Sequence, residues 1–134
     1  MKDYILNFEV RLFSPDGVNS PVLDYLFELK NRNQDLAKQA IKDLFTLLEH
    51  FYLFTNIKHF KHGSKKFYEL RVRHKNNICR FFFVVENPNL IVVYGFTKKT
   101  QKTEEKDIKK GIDYLEQYQN IQSTISLKNI GSLL

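Results

Sequence analysis

Between Phe67 and Thr97 three strand signals follow one another with only short asparagine-rich reversals between them. The runs cover about 67–74, 78–86 and 90–97, rich in Phe, Val, Ile and Tyr, and are separated by Asn76-Asn77 and Asn87-Pro88-Asn89. Asparagine tolerates positive φ, so Asn76-Asn77 suits a tight hairpin loop. Strands joined by so few residues pair as antiparallel neighbours, because a parallel pair needs a crossover of about a dozen residues or more. A three-stranded block is thus imposed locally, and the rest of the chain has to cover it.

The covering segments are readable. Residues 3–12 alternate as a first strand, with Tyr4, Leu6, Phe8, Val10 and Leu12 on one face, before Ser14-Pro15-Asp16-Gly17 forces a turn. Ser20-Pro21 is a helix start, a capping hydroxyl followed by proline at the first helical position, and the helix ends near Arg32. A second helix spans about Gln34 to Tyr52, where Ala37, Ala40, Ile41, Leu44, Phe45, Leu48 and Phe51 recur at helical spacing. Phe54 to Lys66, polar and basic with His59, His62 and Gly63, reads as a loop. Thr103-Glu104-Glu105 opens a last helix whose apolar stripe is Ile108, Ile112 and Leu115. Residues 119–134, rich in Ser, Asn and Gln, read as a C-terminal tail or a partner-binding segment. The expected fold is α+β: a small antiparallel or mixed sheet of about four strands, an N-terminal helical hairpin and a C-terminal helix. It forms a single domain over residues 1–118, followed by the tail 119–134.

Composition narrows the class. With 134 residues, 43% of them hydrophobic, the chain suits one core. The longest apolar runs are strand length, too short to span a bilayer, and the N-terminus lacks a signal-peptide core. One cysteine, Cys79, excludes an internal disulfide framework and fits a reducing cytoplasm. His59 and His62 have a spacing seen in metal sites, but no third ligand lies near them, so no metal is expected. No phosphate-binding glycine loop or nucleophile elbow is present, and no small-molecule cofactor is expected. The net charge of +6 is unevenly placed. Residues 1–55 carry −2, residues 56–110 carry +9, and residues 111–134 carry −1. A basic excess confined to the strand block points to a polyanionic partner.

If Asn76-Asn77 forms the loop, Arg73 faces Arg80 and Arg71 faces Phe82, so all three arginines leave one sheet face. Guanidinium groups set opposite each other repel unless an anion lies between them, a local inconsistency of the kind found at functional sites. Glu69 neutralising Arg71 on a merely solvated face is the structural alternative. A three-residue loop at 87–89 adds Tyr94 and Lys98 to the arginine face; a four-residue loop adds Gly95 and Lys99 instead. The Phe81-Phe82-Phe83 run reads as core.

Three words in this block, Glu69-Leu70-Arg71, Arg80-Phe81-Phe82-Phe83 and Gly95-Phe96-Thr97-Lys98-Lys99-Thr100-Gln101-Lys102-Thr103, carry a family resemblance. With the order strand, two helices, three strands, helix, the chain over about residues 3–118 resembles the RelE/ParE superfamily of toxin–antitoxin toxins. The words themselves resemble its HigB-like, phage-derived branch. The resemblance implies a RelE-like fold and a metal-free ribonuclease that cuts mRNA on the ribosome. It also implies a cognate helix-turn-helix antitoxin of the HigA type as partner. The chain departs from the family pattern at Glu104, where proline is usual. It also lacks a convincing match to the C-terminal tyrosine or histidine that some relatives use for proton transfer. The superfamily also contains gyrase-poisoning ParE-like toxins that cut nothing. That reading and a non-toxic nucleic-acid-binding module are the alternatives.

Metal-free RNA cleavage uses the substrate 2′-OH as nucleophile, so the protein must stabilise a phosphorane and move two protons. Arg71, Arg73 and Arg80 are the candidates for the transition-state phosphate, since arginine stays charged and offers forked donors. Lys98 and Lys99 are candidates either for proton transfer or for gripping the backbone. His62, His74 and Tyr94 are the remaining proton-transfer candidates. Lys58, Lys61, Lys65, Lys66, Lys75 and Lys102 are expected to dock the RNA electrostatically.

Overall fold

The structure, a computed structural model, describes residues 9–50, 57–62, 64–86, 88–98, 105–131 and 134. Along the chain come β1 (Val10–Phe13), α1 (Pro21–Arg32), α2 (Gln34–His50), β2 (Ile57–His62), β3 (Lys65–His74) and β4 (Asn77–Glu86). They are followed by β5 (Asn89–Lys98), α3 (Glu105–Ile121), β6 (Thr124–Ser126) and α4 (Leu127–Ile130). The six strands form one mixed sheet in the order β2-β3-β4-β5-β1-β6, with β1 parallel to β5 and the other pairs antiparallel.

The helix starts follow from local chemistry. Ser20 Oγ accepts from the Leu23 amide at 3.3 Å with Pro21 next in line. Asn33 alone separates α1 from α2, and its side-chain oxygen accepts from the Leu36 amide at 3.1 Å. The two helices cover one sheet face. Leu26, Leu29, Ala37, Ala40 and Leu44 pack there against Leu70, Val72, Cys79, Phe81, Phe83 and Val92. On the other face α3 sets Ile112, Leu115 and Tyr118 against Phe13, Phe82, Val84, Ile91 and Phe96. Gly111 lets α3 approach: a Cβ there would lie 2.1 Å from the Phe82 ring.

The sheet is larger than the four strands expected. One addition is β2, inside the stretch that reads as a loop. A polar edge strand with few apolar positions carries little strand signal, and lysines on an exposed edge discourage pairing with other chains. Phe60 secures it by stacking on Phe67, with centroids 5.1 Å apart. The other is β6, which pairs antiparallel with β1 beyond residue 118, while Leu127 of α4 is buried. Residues 3–8 and 51–52, expected to extend β1 and α2, lie outside the described residues, as does the expected cap at Thr103.

The hairpin register also differs from expectation. His74 pairs with Asn77, so Lys75-Asn76 is the two-residue loop, with Lys75 at φ 56°. Arg71 therefore faces Arg80, and Arg73 faces Ile78, two residues from the expected pairing. This register sets Tyr68 on Phe83, stacked at 5.5 Å, and lets one carboxylate serve two arginines; both compensate a non-glycine residue at positive φ.

The β4–β5 connection matches neither loop length considered. Glu86 pairs with Asn89, a two-residue reversal, which by itself would bring Gly95 to the arginine face. A bulge intervenes. Phe83 pairs with Val92 but Phe82 with Tyr94, leaving Val93 extra and reversing the alternation beyond it. Tyr94, Phe96 and Lys98 thereby join Arg71, Arg73 and Arg80.

Candidate nucleic-acid interface

Glu69, Arg71 and Arg73 leave the same face of β3, as alternate residues of a strand must. Glu69 has no exposed surface and lies between the facing guanidiniums: Arg71 Nε is 2.9 Å from Oε1, and Arg80 Nη1 is 3.8 Å from Oε2. The anion that this cation pair requires is thus supplied by the chain itself. Arg80 is fully buried, whereas the Arg71 side chain keeps 30% of its surface and Arg73 is exposed. Burial pulls the Arg80 guanidinium below its usual pKa; the Glu69 carboxylate opposes this and Arg71 reinforces it. In this arrangement Arg71 and Arg73 present their charge to solvent, and Arg80 lies beneath them.

A second group adjoins through Phe96, which pairs with Arg80. Lys98 is only 8% exposed, and its Nζ lies 3.0 Å from Oδ2 of Asp107 in the first turn of α3. Asp107 Oδ1 accepts from the Tyr94 hydroxyl at 3.2 Å. Burial, with the Asp107 charge added, raises the Tyr94 phenol well above its ordinary pKa, so it stays protonated at neutral pH. Tyr94 stacks between Phe96 and Tyr114 at 5.0 and 5.7 Å. It borders an open groove of about 530 Å3 along the C-terminal end of β5 that also takes in Tyr25 of α1, Thr97, and Lys110 of α3.

The remaining candidates scatter. Lys58 is exposed opposite Glu69 on the arginine face, with Nζ 5.1 Å from the Phe60 ring centroid. Lys61 and Lys66 pair with each other and, by alternation, belong to the face covered by α1 and α2. Lys75 is exposed in the β3–β4 turn. His62 and Lys65 pair at the far end of β2–β3. His74 is separated from the cluster: it lies on the α2 side, its Nε2 3.9 Å from Asp35 Oδ2. Lys99 and Lys102 lie outside the described residues. Asp107 is the residue that sequence reasoning did not single out. Its one signal is an acid standing in a basic stretch.

The helical hairpin on one face and α3 on the other enclose a six-stranded mixed sheet in an α+β domain, with arginines from two strands gathered on the α3 face and the short α4 closing the chain. The family model for phage-derived Gp49-like proteins (DUF891) matches residues 24–116, and the chain belongs to that family, a RelE-like toxin family. Membership suggests a toxin of a toxin–antitoxin pair and implies an antitoxin partner. A search of curated proteins found no significant match. Among the described residues no helix is long and apolar enough to cross a membrane.

Proposed function

We propose that this chain is a ribosome-dependent mRNA endoribonuclease of the HigB-like branch, acting in the cytoplasm and neutralised by a HigA-like helix-turn-helix antitoxin. The observation that carries this reading is the Arg71–Arg80 pair: two arginines set face to face over a buried carboxylate, with Arg73 and Lys98 on the same face. Glu69 offsets the crowding of the two guanidiniums within the fold, and the solvent-facing parts of Arg71 and Arg73 are left to receive a phosphodiester.

In the reaction, water takes the proton of the 2′-hydroxyl as its oxygen attacks the adjacent phosphorus. The P–O5′ bond then breaks, leaving a 2′,3′-cyclic phosphate and a 5′-hydroxyl. Arg71 and Arg73 meet the developing charge on the phosphorane, where arginine forks match paired oxygens. Arg80 acts from beneath, through Glu69, by fixing Arg71. Lys98 adds a cation from the adjoining strand. The Tyr94 phenol, its one proton donated to Asp107 and its pKa raised, orients groups on this face rather than moving a proton, and the leaving 5′-oxygen takes its proton from water. Lys58, Lys65, Lys75, Lys99 and Lys102 grip neighbouring phosphates, and His62 joins them at the β2–β3 end.

Induced expression followed by primer-extension mapping of mRNA ends tests the proposal. New 5′ ends within reading frames are expected, and Arg71→Ala should lower cutting by about a hundredfold to a thousandfold, the usual cost of one such donor. Growth arrest with intact transcripts would instead indicate a gyrase poison, and absence of arrest a non-toxic binding module. Arg71 and Arg73 are the clean probes. Arg80→Ala would leave buried Glu69 without that guanidinium, so lost cutting there would report unfolding as readily as chemistry.

A further inference from the structure

We propose that Asp107 is a positioning residue of this site, its carboxylate fixing the Lys98 ammonium and the Tyr94 hydroxyl on the arginine face. The inference rests on the ribonuclease reading only for its effect on cutting. Lysine is almost never fully buried unless paired, yet Lys98 is 8% exposed. Its ammonium meets Asp107 Oδ2 at 3.0 Å, and Oδ1 accepts from Tyr94 at 3.2 Å, so both carboxylate oxygens are engaged. Tyr94 and Lys98 are four residues apart on one strand, roughly 13 Å along its axis. A short carboxylate reaches both only from a separate element above Phe96. The first turn of α3 supplies that element, and the partial positive charge of the helix N-terminus favours the anion there. The Asp107 charge also reaches Arg80, supporting its protonated form. Asp107 therefore ties α3 to both cation groups, whereas Glu69 ties only β3 to β4.

Asp107→Asn removes the charge at nearly constant size. In the full chain, acylation of lysines by an amine-reactive ester is followed by peptide mass spectrometry, with the exposed Lys75 as internal reference. Asp107→Asn should raise the relative rate at Lys98 by about tenfold or more, as expected for an amine released from a desolvated pair. Asp113→Asn, an exposed acid on the same helix, should leave it unchanged. An unchanged Lys98 rate in Asp107→Asn overturns the proposal whether or not the protein cuts RNA. The second arm is a double-mutant cycle on cleavage. Asp107→Asn alone should lower cutting by about tenfold to a hundredfold, the scale of a misplacement near 1 Å. In a background lacking both positioned groups, Lys98→Ala with Tyr94→Phe, it should cost nothing further. Equal losses in both backgrounds would show that Asp107 acts through the fold at large and overturn its positioning role. A wild-type chain that cuts nothing refutes the ribonuclease reading and leaves the acylation result to decide this one.

Discussion

Glu69→Gln tests how much of the fold depends on one buried carboxylate. The substitution keeps shape and one acceptor oxygen but removes the negative charge between Arg71 and Arg80. Arg80 and Glu69 both have no exposed surface, so the loss falls on a desolvated cation with little solvent compensation. Breaking a buried pair from one side typically costs ~3–5 kcal/mol. Total stabilities are about 5–15 kcal/mol, so a large fraction is at stake. For a chain of this length each kcal/mol shifts Tm by roughly 3–5 °C, giving an expected fall of roughly 10–25 °C. Thermal unfolding by circular dichroism at neutral pH reads it directly, with urea titration to check that the m-value is unchanged. Two companions sharpen the result. Arg71→Gln removes the partner whose side chain is 30% exposed and should cost about 1 kcal/mol or less after screening. Glu69→Gln combined with Arg80→Met removes both buried charges and should recover most of the loss, because an apolar replacement of a buried pair is often neutral. A Glu69→Gln Tm within about 3 °C of wild type, or no recovery in the double variant, would refute the account.

Further expectations follow from the packing. Gly111→Ala places a methyl 2.1 Å from the Phe82 ring and should destabilise by about 1–3 kcal/mol through overpacking, read by the same thermal assay. Burial pushes the Cys79 thiol up to about 12 and leaves it without exposed surface, so thiol reagents should label it only in denaturant; labelling of the native protein at neutral pH would contradict this. Burial likewise raises Tyr25, whose hydroxyl contacts Thr97 Oγ1 at 2.5 Å. Both groups titrate later in the folded chain than in the unfolded one. Stability they contribute is complete below about pH 8 and falls as pH climbs toward their folded values, by up to ~1.4 kcal/mol per group per pH unit. Urea midpoints measured from pH 8 upward should decline; constant midpoints would contradict the buried placement of these groups.

The parts legible in the sequence were those governed by local chemistry. Ser20-Pro21 starts α1 where expected, Ile112 and Leu115 point α3 at the sheet, and the three central strands occur in their places. The parts that were not legible depend on partners far along the chain. β6 exists because β1 offers an edge more than a hundred residues earlier, and β2 because Phe67 receives Phe60. Positive φ is usually given to Asn or Gly, yet Lys75 adopts it because strand pairing outweighs turn preference. The site divides the same way. Alternation was enough to place Arg71, Arg73 and Arg80 on one face. Burial of Arg80 depends on Glu69 and the cover of α3, and the Asp107 bridge depends on where α3 begins, so neither is encoded in the strand's own pattern.

Val93 carries a consequence for comparing relatives of this chain. Because it is the extra residue, a homologue lacking it would close the bulge and still set Phe96 beside Arg80 and Lys98 beside Ile78. A homologue of the same length that paired without the bulge would instead exchange the two rows: Gly95 would stand beside Arg80, and Thr97 would take the place of Lys98. Every word of the recognition pattern would still be spelled out in such a sequence, but its lysine would point into the layer beneath α1. A one-residue gap here is thus harmless to the cation face, whereas an irregularity of pairing that no residue identity records decides whether the lysine reaches it.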